Sequence, residues 1–266
     1  MATRPEADRI CNLVPSRNTE DDWGFEHAIA SKGIAASPAT LPASVDLRAP
    51  WWDIGDQQNT GSCVGWGSTD GVARYHFVNA GRLAQNAKLS PRCTWMASKE
   101  TDQFTSRPET FIEEAGTSLK AAVDILRKYG AAPELLVPFH ITTFMYPGNE
   151  NTLFATMATR RIAAYFNLQK NLANWRSWLA THGPILVGLD VDATWDNATA
   201  THGKLDTFQP NTVRGGHAPA VVGYTADQRF IVRNSWGTSW GDKGFAYASE
   251  AYINAAFFNE SYGVTL

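Results

Sequence analysis

The chain has 266 residues with 23 Lys and Arg against 26 Asp and Glu, a formal net charge of −3. The charges are scattered, which excludes the basic footprint expected for binding nucleic acid or an anionic membrane. With 44% hydrophobic and 18% charged residues it is not a disordered chain. No apolar run approaches the roughly 18 residues of a transmembrane helix.

Residues 1–40 are polar and interrupted by Pro5, Pro15, Pro38, Gly24 and Gly33. No stretch keeps an apolar period long enough for an element, so the segment reads as a mobile N-terminal arm. It also lacks the apolar core of a secretory signal. Localisation is therefore left open between the cytoplasm and a chain that has lost its leader.

From Leu41 the texture is globular. Residues 63–80 offer apolar positions for a helix, but Gly65, Gly67 and Gly71 each cost about 1 kcal/mol relative to Ala there. Ser90-Pro91 is a better helix start, an N-cap followed by Pro, leading into residues 92–103. Thr117 or Ser118 starts another, with Leu119, Ala122, Val123 and Leu126 at helical steps before Gly130. Asn171 to Thr181 reads as a further helix. Strands are expected over 185–193, 217–224, 229–236 and 244–249, each bounded by Gly, Asp or Asn. The polar stretch Trp195–Gln209 reads as a surface loop beside a cleft. Helices before about residue 150 and strands after about 184 indicate an α+β protein in two lobes, with a site between them.

Three side chains have settings suited to nucleophilic chemistry. Cys63 follows a polar, glycine-containing loop and opens the possible helix, where unpaired N–H groups favour a thiolate. His217 follows Arg214-Gly215-Gly216 and opens an apolar strand. Asn234 ends the run RFIVR in the next strand of the expected series. Each alone is also compatible with a structural role: a buried cysteine, a core histidine, a turn asparagine. A thiolate catalyst needs a base within reach and a group that orients the base.

Five blocks in order resemble papain-like cysteine peptidases, and the short N-terminal segment and few cysteines resemble their bacterial branch. These are Leu41–Arg48 (LPASVDLR), Gln57–Cys63 (QQNTGSC), Ala115–Leu119 (AGTSL), Gly215–Tyr224 (GGHAPAVVGY) and the NSWGTSWGDKGF run from Asn234. The resemblance implies a papain-like fold, with a mainly helical left lobe over about 50–150 and an antiparallel β-barrel-like right lobe over about 151–266. Residues 41–266 would form the peptidase domain and residues 1–40 a short pro-like segment. It further implies Cys63 as nucleophile, His217 as base and acid, Asn234 as orienter, and Gln57 with the Cys63 N–H as oxyanion hole. Ala115, Gly116, Gly216 and Ala218 would line the substrate cleft, and Trp236 would cover the His–Asn bond.

The implied partners are peptide or protein substrates and the chain's own N-terminal segment lying over the cleft; no cofactor and no metal is expected. Cys11 is a candidate for a redox latch with Cys63 or a pairing with Cys93. Thr60 and Val64 stand where many relatives have Cys and Trp, so the disulfide that braces the nucleophile loop in them cannot form. The alternative reading is a non-catalytic peptide-binding protein on the same scaffold. A cysteine-bearing nucleophile elbow at Gly61–Gly65 is disfavoured, because the preceding residues are polar rather than a hydrophobic strand.

Overall fold

The computed structural model of the chain describes residues 8–35, 38, 40–101, 114–139 and 148–266. The last two residues of the helix expected to run to 103 lie outside the described residues.

The expected α+β architecture is observed, with a nine-stranded sheet that carries the helix from Cys63 and Leu119–Lys128 on one face and Leu172–Thr181 and Glu250–Ala256 on the other. In chain order the strands are β1 (Val45–Asp46), β2 (Ala164–Asn167), β3 (Ile185–Val191), β4 (Lys204–Leu205), β5 (Gly215–His217), β6 (Ala220–Tyr224), β7 (Phe230–Arg233), β8 (Phe245–Ala248) and β9 (Phe257–Thr265). The main order is β2-β9-β3-β6-β7-β8-β4, with β1 added on β6 and β5 on β3. Every pairing is antiparallel except β4 with β8.

Residues 63–79 do form one helix, through Cys63–Gly65, a π-helical stretch Trp66–Ala73 and Arg74–Asn79. Its glycines are there for proximity. A methyl group at Gly65 would lie 2.3 Å from Pro91 O, and one at Gly67 the same distance from Ala218 O. Close approach to the helix Pro91–Thr101 on one side and to the β5–β6 corner on the other outweighs the poor helix propensity. Gly67→Ala is accordingly expected to lower the unfolding free energy by about 1–3 kcal/mol, measurable as an earlier midpoint in urea.

The helix Leu119–Lys128 begins where the sequence places it: Ser118 Oγ accepts the Ala121 N–H, and burial falls on Leu119, Ala122, Val123, Ile125 and Leu126. Leu172–Thr181 is capped by Asn171 in the same way and buries Trp175 and Trp178. The helix Glu150–Ala158 spans the boundary expected at 150/151. Its Leu153 and Met157 pack with Cys93, Ala132 and Val137, so it belongs with the helical side.

Two expectations are corrected. The N-terminal arm is not loose over the described residues. A short helix, Phe25–Ala30, together with Ile34, buries Phe25, Ala28 and Ile34 against Trp178 and its neighbours, and Leu13 is buried as well. Apolar residues this far apart leave no periodic trace in the sequence. The stretch 195–209 is not merely a surface loop either. Trp195, Ala198 and Leu205 are fully buried, and Lys204–Leu205 forms the parallel edge pairing with β8.

Candidate active site

Cys63 is the first residue of the central helix, with its thiol buried against the β5–β6 corner. The expected strand 217–224 is broken at Pro219. β5 pairs with β3, placing His217 opposite Leu189, while β6 pairs with both β3 and β7. Pro219 has no N–H to continue the ladder, but its carbonyl accepts the Val187 N–H at 3.1 Å. Because Ala220 lies opposite Arg233, His217 and Asn234 sit just beyond the paired ends of neighbouring strands.

They meet there. The His217 Nε2 to Asn234 Oδ1 distance is 2.7 Å, and the same Oδ1 accepts the Ser235 N–H at 2.8 Å. An oxygen already accepting from one N–H is matched only by a ring nitrogen that donates, so Nε2 carries the proton. In the neutral ring Nδ1 is then the basic atom, and it has no hydrogen-bond partner. The Trp236 ring packs on His217, with centroids 5.1 Å apart.

Gln57 is fully buried and held at both ends of its amide. Its Oε1 accepts the Ser235 hydroxyl at 2.8 Å, and its Nε2 donates to Thr60 O at 2.9 Å and to Ile10 O at 3.2 Å. Behind these residues Asp70, on the central helix, pairs with Arg233 at 2.6 Å and Arg74 at 3.1 Å. Arg233 immediately precedes Asn234, so this buried ion triad ties the cysteine-bearing helix to the asparagine-bearing strand. Removing one member of such a network typically costs about 3–5 kcal/mol, since the others stay buried unpaired.

Residues 9–16 run through the same place. Leu13 N–H donates to Gly216 O at 2.9 Å and Val14 N–H to Thr117 O at 3.1 Å. A methyl group at Gly116 would lie 1.8 Å from Asn12 O, and one at Gly215 1.9 Å from Cys11 O. Gly116, Gly215 and Gly216 therefore lie directly against residues 11–13, while Ala218 O faces Gly67 of the central helix and Ala115 O holds the Trp95 indole at 2.9 Å. All three cysteines are free thiols. The latch expected from Cys11 to Cys63 or Cys93 is thus not formed here.

Burial sets the electrostatics. Cys63 and His217 are fully inaccessible. Loss of water pushes the Cys63 thiol up to about 12, with the nearby Cys11 adding to the rise. The His217 imidazole is pushed down to about 4, first by burial and then by the positive charges of Arg214 and Arg9, against the Asn234 hydrogen bond. Both groups are neutral at ordinary pH in this state.

Trp195 is the participant that the sequence reading missed. Its ring stands edge-on to His217, centroids 5.5 Å apart, and stacks on Trp240 at 5.3 Å. It is fixed through Nε1 to Tyr252 Oη at 2.9 Å, which in turn donates to the buried Asp192 at 2.6 Å. The only local signal was Asp192 as an N-cap, which starts the short helix carrying Trp195.

Among the described residues no group of three or more His, Cys, Asp or Glu is arranged to hold a metal ion, and no helix is long and apolar enough to cross a membrane.

Residues 41–262 match the model of the papain family of cysteine proteases, and the chain belongs to that family. It is 27% identical over 225 residues to cathepsin L1 of Drosophila melanogaster, covering 80% of this chain and 56% of that protein. Across the first curated relatives the chain spans 55–61% of their length. In fold it is similar to xylellain, a cysteine protease from Xylella fastidiosa, with a TM-score of 0.80 at 19% identity over 97% of this chain and 96% of that one. Digestive procathepsin L 3 of Tenebrio molitor gives a TM-score of 0.69 at 17% identity, covering 98% and 78%. The papain-like α+β fold agrees with the sequence reading.

Proposed function

We propose that the protein is a peptidase that cleaves peptide bonds through a Cys63 thiolate and a His217 imidazolium, and that its own N-terminal segment restrains it. The observation that carries this is the Gln57 amide, whose Nε2 donates to a peptide carbonyl, that of Ile10, at 3.2 Å. A buried donor fixed by two other bonds and aimed at a carbonyl is what an oxyanion hole requires.

In the working state, with residues 9–16 displaced, water and substrate would reach Cys63. The thiolate attacks the scissile carbonyl and the oxyanion is received by Gln57 Nε2 and the Cys63 N–H. His217 protonates the leaving amine, then removes a proton from the water that cleaves the thioester. Asn234 keeps the ring turned so that Nδ1 faces the chemistry. Ala115, Gly116, Gly216 and Ala218 line the acyl side of the cleft, and Trp236 shields the His–Asn bond from water. The peptide-like contacts of Leu13 and Val14 with Gly216 and Thr117 support both the lining and the restraint.

Hydrolysis of a fluorogenic dipeptide panel, with Cys63→Ala as control, tests this reading. Turnover that survives Cys63→Ala would refute it, and labelling of Cys63 by iodoacetamide without any turnover would favour the peptide-binding alternative. Gln57→Ala is expected to lower kcat by about 10²–10³, the usual cost of one oxyanion donor, with a smaller change in KM.

A further inference from the structure

The segment that crosses the site is held at one end by Leu13 and at the other by Arg9. The Arg9 guanidinium reaches the Asp56 carboxylate through Nη1 at 2.5 Å and Nη2 at 3.4 Å. It also donates to Gln58 O at 3.0 Å and Trp236 O at 3.2 Å. We propose that this cradle of Asp56 and the carbonyls of Gln58 and Trp236 is a substrate subsite that selects an arginine or lysine side chain on the leaving-group side of the scissile bond, Arg9 being its place-holder. The proposal rests on the peptidase reading above.

The cradle does not depend on Arg9 for its shape. Asp56 Oδ1 accepts the Gln58 N–H at 2.7 Å, Asp56 bridges to Trp236, Gln57 N–H donates to Ser235 O at 2.8 Å, and Gly237 N–H donates to Gly55 O at 3.0 Å. Gln58 itself sits at φ 55°, in the left-handed region, fixing the turn that presents its carbonyl. Three acceptors set in advance around one point suit a cation, and a planar fork better than a point charge.

Position assigns the side of the bond. Trp236 packs on His217, the group that protonates the leaving amine, so its carbonyl belongs to the leaving-group half of the cleft. Leu13, at the other end, lies against Gly216. The neighbouring cation, Arg214, packs over the Trp236 ring at 5.7 Å and donates to Arg9 O at 2.9 Å, but it is paired with Asp196 at 2.8 Å. The cradle thus keeps the negative charge of Asp56, whose side chain is 46% exposed while that of Arg9 is 9% exposed. A substrate carboxylate there would face Asp56 directly.

The test uses the full chain carrying Arg9→Ala and Leu13→Asp, so that both ends of the segment are freed. Internally quenched peptides differ only at the first or second residue after the cleaved bond: Arg, Lys, Ala or Glu. The expected order of kcat/KM is Arg, Lys, Ala, Glu, with about tenfold between Arg and Ala for a partly exposed charge-assisted contact. Asp56→Asn in the same background should collapse that ratio and relieve the Glu peptide. Equal hydrolysis of all four would overturn the subsite and leave the peptidase standing. If no peptide is cleaved the peptidase reading fails, and calorimetric titration of the Arg and Ala peptides into full-length Arg9→Ala, Leu13→Asp, Cys63→Ala protein decides the subsite alone. Tighter binding of the Arg peptide, lost with Asp56→Asn, would support it; equal binding would overturn it.

Discussion

Leu13→Asp in the otherwise unchanged chain is expected to raise peptide turnover by about 10²-fold. Leu13 is 5% exposed, its side chain packed near Gly188, Gly216 and Phe258 in the core shared by helices and sheet. Taking a leucine out of that pocket forfeits about 2 kcal/mol of burial, and leaving a carboxylate there costs more. At about 1.4 kcal/mol per decade, the open form gains at least two powers of ten. The fold should survive, because Phe25, Ala28 and Ile34 anchor the rest of the arm to a different core. Alkylation of Cys63 by iodoacetamide should accelerate in parallel while the melting temperature moves little. Unchanged turnover together with accelerated alkylation would separate access from restraint and refute the latter.

Acidification is the second large effect. With residues 9–16 in place His217 titrates near 4, below its ordinary 6.5. Once they leave, water returns and the Arg9 charge withdraws. In Cys63→Ala protein no thiol supplies the imidazole proton, so between about pH 6.5 and 4 the open form of that variant binds a proton that its closed form does not. The stability of the closed form is full above that window and falls as pH drops through it, by up to about tenfold in the equilibrium per unit. The affinity of Cys63→Ala protein for an uncleaved peptide, taken as a ratio to that of the Cys63→Ala, Leu13→Asp double variant, should rise as pH is lowered from 6.5 to 4. A flat ratio would remove His217 as the cause. His76, also held near 4 by burial and then by the neighbouring His182, has the same sign but destabilises the whole fold. Thermal melting run alongside keeps the two apart.

The parts of this molecule that were legible in the sequence are those written in local chemistry. Ser118 and Asn171 announce their helices because each caps by its own side chain. Cys63, His217 and Asn234 stand out because loop-to-helix and strand-end positions leave a mark in neighbouring residues. What stayed hidden is set by residues distant in the chain. The helix after Cys63 is disguised by glycines whose reason lies at Pro91 and Ala218. The break at Pro219 depends on a carbonyl satisfied by Val187. Trp195 looks like part of a polar loop because Tyr252 and Asp192, which fix it, do not adjoin it in a pattern that any period reveals. The docking of the N-terminal helix rests on three buried apolar residues over ten positions, too few for a period.

The loop before Cys63 is braced without a covalent bond. Where relatives are expected to have a cysteine cross-link, Thr60 is buried and its hydroxyl hydrogen-bonds Gln57 O at 2.7 Å and the Ser62 hydroxyl at 2.6 Å. A covalent brace must be made by oxidation and can be undone by any thiol. Hydrogen bonds form as the chain folds and ignore thiols. A reductant strong enough to keep the Cys63 sulfur in its working oxidation state therefore leaves this scaffold untouched, so the catalyst and its support do not compete for the same redox potential.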